Sequence, residues 1–239
     1  MNENNQYASL DAPVAAFAAA SERATFLKKV YGILFLGLLG FAVTLWAAAH
    51  VPVVNGWAVG MGQLIYGNRW GWLIYGAIFI GGSMAVNSVA EQRPLGAIAF
   101  GGWTVLMALL IAPIVLLVNA TGGAAIITQA SALTAIVFGG LTLFVLYTGK
   151  DFSWMRGILF AAVLGLLVVS LMGWIMGFST GLWLSGAVVL IYCGYILYHT
   201  SAILHRYPTT MAMSAAILLF TDVVIMFKHI LILLMSWRD

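Results

Sequence analysis

Seven long apolar runs, at roughly 30–49, 72–90, 95–118, 123–147, 157–177, 182–204 and 210–235, alternate with short links that hold most of the polar and charged residues. Each run is close to the ~20 residues an α-helix needs to cross a bilayer core. The pattern predicts an all-α integral membrane protein of seven transmembrane helices. The links are short, so residues 26–239 form one domain. Residues 1–25 are read as a flexible cytosolic tail; they carry Glu3 and Asp11 and no basic start, unlike a cleaved signal peptide.

Composition sharpens this picture. The chain has 63% hydrophobic and 7% charged residues, against about 25% charged in a soluble domain. Its net charge of +3 comes from basic residues scattered among the links; no basic stripe is present, which excludes nucleic acid as a partner. Cys193 is the single cysteine, so an internal disulfide and multi-cysteine metal frameworks are excluded. With the N-terminus inside, Arg23, Lys28, Lys29, Arg93, Lys150, Arg156 and Arg206 face the cytosol and Arg69 and Arg238 face out, as the positive-inside rule requires. Trp46, Trp57, Trp70, Trp72, Trp174, Trp183 and Trp237 fall at or beyond the outer ends of runs, where interfacial anchors belong. Six spans would move Trp237 to the cytosolic side, so seven spans and an outside C-terminus follow.

Several glycines, among them Gly37, Gly40, Gly81, Gly82, Gly139, Gly140, Gly173 and Gly177, are expected to let helix backbones approach closely. Pro113 in the third span is expected to kink it. The first six spans carry no Asp, Glu, Lys or Arg at depth, whereas the seventh carries Asp222 and Lys228, with His229 beside them. A charge at the bilayer centre costs at least roughly 2.5–3.5 kcal/mol, so such residues face protein or water and mark ion or proton pathways. The seventh helix is therefore expected at the centre of the bundle.

Asp222 lies about 13 residues from either end of its span, beyond snorkelling reach of an interface. His229 follows seven residues later, nearly on the same face, while Lys228 points some 120° away. His229 is either a satisfied core histidine or a pathway lining, and Lys228 either snorkels outward or joins the pathway. His199 on the sixth span, with Tyr192, Tyr195 and Tyr198 on the same helix, is either a helix-end histidine or a group that titrates near physiological pH and switches a path. Residue counting from the "HRYPT" link places His199 about 8 and Asp222 about 15 residues deep, a mismatch of roughly 10 Å. An extended stretch through Tyr207, Pro208 and Thr209 would start the seventh helix deeper and bring the two levels together.

Two other patterns carry no chemistry. "GFSTG" at 177–181 matches a serine nucleophile elbow but joins two membrane helices with no preceding strand. Asp222 and Lys228 are six residues apart, not one turn, and the third span has no acid, which excludes a retinal Schiff-base arrangement. The chain is not read as an enzyme.

"FLKKVYGILFLGLLGFAVT", "LLIAPIVL", "TGKDFSWMRGILF", "GYILYHTSAILHRYP" and "AAILLFTDVVIMF" resemble the transmembrane Bax inhibitor motif family over nearly the whole membrane portion. The resemblance implies a seven-helix fold with the last helix central and, for several members, a calcium leak whose opening depends on pH through two facing aspartates. It also implies an integral protein of a bacterial inner membrane. Carried over by position, the seventh-helix aspartate is Asp222, and the sixth-helix aspartate is replaced by His199. The resemblance thus implies Asp222 as a weak calcium ligand, since Ca²⁺ loses a charged oxygen donor; no other cofactor is implied.

The leading expectation is a pH-responsive ion leak or transporter for calcium or protons, with Asp222 and His199 as pathway and sensor and with Lys228 and His229 as secondary pathway residues. The alternative is a non-conducting regulator that binds other membrane proteins, such as a membrane protease.

Overall fold

A computed structural model describes residues 14–121, 123–176 and 181–237. Eight helices appear among them: α1 (Ala20–His50), α2 (Pro52–Tyr66), α3 (Gly71–Val89), α4 (Leu95–Ala120), α5 (Ala124–Thr148), α6 (Met155–Met176), α7 (Gly181–His205) and α8 (Ala212–Ser236). All but α2 are long and apolar enough to cross a membrane, which gives the seven expected spans. Large side chains such as Phe160 and Leu190, exposed at 62% and 74%, cover the outward faces; this surface suits lipid, because a water-soluble monomer rarely leaves contiguous apolar area bare.

The sequence pattern did not separate α2 as a helix. At 15 residues it is about 22 Å long, shorter than the ~30 Å hydrocarbon core. Pro52 stands in its first turn, where a missing N–H costs nothing. The expected boundary at residue 26 falls inside α1; residues 1–13 of the expected tail lie outside the described residues, as do Gly177 and most of "GFSTG".

The helices sort into two packing units, and α8 contributes to both. The first comprises residues 24–124 with 210–220. Here Ala48, Ala58, Leu109 and Ala112 join the end of α1 to α2 and α4. Pro113 sits inside α4 without ending it, and a Cβ on Gly62 of α2 would stand 3.2 Å from the proline ring. Phe220 of α8 makes edge contacts with Phe41 and Phe100 at centroid distances of 6.2 and 5.4 Å. Gly37 makes this possible, since a Cβ there would lie 2.4 Å from the Phe100 ring. Glu91, in the link before α4, accepts a 2.8 Å hydrogen bond from the Ser214 N–H. It thereby satisfies a donor in the first turn of α8 with a charge of the sign that the helix dipole favours.

The second unit comprises the first 23 residues, 125–209 and 221–239. Gly194 of α7 packs on α6, where a Cβ would meet Leu159 at 2.7 Å. Close approach was expected at the other glycines too; it holds for Gly40 and Gly82, but Gly81, Gly139 and Gly140 have open space on the Cβ side. A small residue on a membrane helix permits contact without requiring it. The final helix has the largest buried share of any span, 61%.

Candidate functional site

Asp222 is 3% exposed, on the part of α8 that belongs to the second unit. Its Oδ2 lies 2.6 Å from Nδ1 of His199 on α7, so one proton is held between a carboxylate and an imidazole. The roughly 10 Å mismatch is reduced by where the helices stop. His199 lies six residues before the end of α7 at His205, and Asp222 ten after the start of α8 at Ala212, which leaves about 6 Å for side-chain reach and helix tilt. The link does not run extended as expected: residues 206–207 and 209–210 turn, and only its proline pairs in an extended manner, where Pro208 bridges Val14 and the Tyr207 carbonyl accepts a 2.9 Å bond from the Ala15 N–H.

Aromatic rings surround the imidazole. Tyr195 and Tyr198 each lie 5.3 Å from it, centroid to centroid, and Tyr192 packs at a tilt against Tyr195 at 5.6 Å. The neighbouring Thr200 hydroxyl is buried and has no hydrogen-bond partner among the described residues. The donor set for a metal ion is thus one carboxylate, already bonded, and one imidazole. Among the described residues no group of three or more His, Cys, Asp or Glu stands together. Ca²⁺ takes six to eight oxygen ligands, of which this pair supplies one carboxylate, whereas a carboxylate bonded to an imidazole can exchange a proton.

The other expected residues are on the same two helices. His229 Nδ1 stands 3.3 Å from the hydroxyl of Ser185 on α7, and Lys228 beside it is half-buried. Ser185, 3% exposed, was not singled out in the sequence, because a serine in an apolar run is equally compatible with bonding back onto its own helix.

A further polar cluster at the end of α7 was also missed. Ser201 is fully buried two residues after His199. Its hydroxyl oxygen accepts a 2.9 Å bond from the Phe152 N–H, and its proton points to the Lys150 carbonyl and Asp151 Oδ1 at 3.3 and 3.4 Å. Asp151 accepts from the N–H and hydroxyl of Ser153, and Arg206 stands 3.7 Å away. The local signal was legible: an aspartate two residues before a serine forms an Asx turn. The Ser153 hydroxyl, aided by its N–H and by Arg206 and His205, holds the Asp151 carboxyl below the usual carboxylate range despite the opposing effect of burial.

The direction of that shift sets its pH dependence. A depressed folded-state pKa gives stability that is present above the unfolded value of about 3.9 and lost as pH falls through the folded value. The strap over residues 150–153 should therefore hold from neutral pH down to about 4. Hydrogen exchange at Phe152 and Ser153, corrected for intrinsic rates, is expected to show constant protection over that range. Asp151→Asn should raise exchange up to about fivefold throughout, the limit for a solvent-exposed pair worth at most ~1 kcal/mol.

Comparison with known proteins places this geometry in context. Residues 23–239 match the family model described as inhibitor of apoptosis-promoting Bax1. A Golgi anti-apoptotic protein of vaccinia virus is 30% identical over 92% of this chain and 88% of its own length. An uncharacterized protein of Campylobacter jejuni is 30% identical over 92% of both chains. Mouse protein lifeguard 4 is 28% identical over 90% of this chain and 87% of its own.

Proposed function

The chain belongs to the transmembrane Bax inhibitor motif family, and from that premise we propose that it is a pH-responsive ion leak or transporter with the Asp222–His199 pair as pathway and sensor. The observation that carries this reading is the 2.6 Å bond between a buried carboxylate and an imidazole on neighbouring spans. Gain of a proton leaves the pair positive and loss of one leaves it negative, and either change inside hydrocarbon favours entry of water or a counter-ion. Calcium is at most a weak ligand here, for want of oxygen donors. The basic residues of the links favour a cytosolic N-terminus and an outside C-terminus, and the bacterial relatives favour an inner membrane.

The names of the viral and mouse relatives, anti-apoptotic protein and lifeguard, favour a second reading, a membrane regulator that acts on other membrane proteins without conducting. Purified protein in liposomes separates the two. Conduction under a proton or cation gradient should depend on pH in the parent, and Asp222→Asn should flatten that dependence. A parent that carries no ion at any pH, in vesicles shown to contain folded protein, leaves the regulator reading standing.

A further inference from the structure

The facing sides of α7 and α8 repeat proton-exchanging groups rather than metal ligands. On α8, Asp222 and His229 are seven residues apart on nearly one face, about 10 Å along the axis. On α7, Ser185, Tyr192 and His199 recur at seven-residue intervals, and Tyr195 joins the last two through ring contacts of 5.6 and 5.3 Å. Ser185 and His229 then meet across the helix pair at 3.3 Å.

We infer that this seam conducts protons and excludes metal cations, with Ser185 and His229 as its outer station. The inference rests on the conduction reading given above and adds the identity of the ion. A proton moves by exchange, each step breaking one N–H or O–H bond and forming another, and needs no coordination shell. A divalent cation must replace its water with several oxygen ligands, and the seam offers one carboxylate, already bonded to His199. The titratable and charged groups of the two helices along this stretch are Asp222, Lys228 and His229 on α8 and His199 on α7, with the phenols of Tyr192, Tyr195 and Tyr198 and the thiol of Cys193. Ser185 and Tyr192 are about 10 Å apart along α7, beyond one hydrogen bond. At least one water must enter there, and that step limits the flux.

The test uses full-length protein in liposomes loaded with a pH-sensitive dye or a calcium indicator, with protein-free vesicles as baseline. The parent is expected to pass protons and to leave Ca²⁺ entry at baseline. His229→Gln, which keeps a hydrogen-bonding partner for Ser185 but cannot carry a proton, should cut proton flux at least fivefold, and His229→Leu should match it. Calcium entry in the parent as fast as proton entry would refute the selectivity, and unchanged proton flux in a monodisperse His229→Gln protein would remove the outer station. Absence of both fluxes in the parent would overturn the conduction reading itself and this inference with it.

Discussion

Asp222→Leu is expected to lower the unfolding free energy of the detergent-solubilised protein by about 2–4 kcal/mol, and adding His199→Leu should recover much of that loss. The single substitution leaves His199 Nδ1 without the partner that now stands 2.6 Å away, at a position whose side chain is only 16% exposed. An unsatisfied buried polar group costs about 1–3 kcal/mol, and a buried charge deprived of its partner 3–5. The double substitution removes both polar groups, and well-packed apolar replacements of buried pairs are often neutral or stabilising. The two changes should therefore be coupled by about 2 kcal/mol, well outside the few tenths typical of independent sites. Additive effects in denaturant unfolding of the four proteins would show that the bond does not persist in the folded ensemble. A double variant as stable as the parent would also show that the pair is retained for function and not for the fold.

The seven spans were legible because length and hydropathy alone decide whether a helix can cross a bilayer. The charge census then pointed to Asp222 without any spatial information. Helix α2 was not legible as a separate element, since its 15 residues are apolar yet too few to span, although Pro52 at its start and Gly67 at its end mark it locally. The His199–Asp222 contact lay between these cases. Residue counting set the two groups at different depths, and the points at which α7 stops and α8 starts remove part of the difference, across a turning link pinned through Pro208 and Tyr207 to the N-terminal segment. Ser185 and Ser201 were beyond reach for a different reason. A serine declares its partner only when two helices are brought together, and the sequence holds no record of which helix that is. The aspartate of the strap, by contrast, carried a readable turn signal; what the chain could not disclose was that Ser201 would be buried beneath it.

His199→Asp is expected to raise Ca²⁺ affinity by about tenfold to a hundredfold, because it converts the least suitable feature of the site into the most suitable one. The present pair presents one carboxylate whose oxygen is engaged by Nδ1 at 2.6 Å, and an imidazole is a poor donor for a hard cation that selects oxygen ligands. The substitution removes that competitor and adds a second negative charge in a site where Asp222 is 3% exposed. A unit charge pair at about 4 Å is worth roughly 4 kcal/mol at the effective dielectric of a protein. Loss of the cation's water offsets part of that, and the ~1.4–2.8 kcal/mol that remains corresponds to the stated change in affinity. The gain should be larger at pH 8 than at pH 5, since protons compete with Ca²⁺ for the two carboxylates. Isothermal titration of the parent and the variant at both pH values measures it. A variant that binds no more tightly than the parent at pH 8 would mean that the two side chains at these positions cannot turn their oxygens on one ion, and that the short bond between α7 and α8 is specific to the geometry of the imidazole.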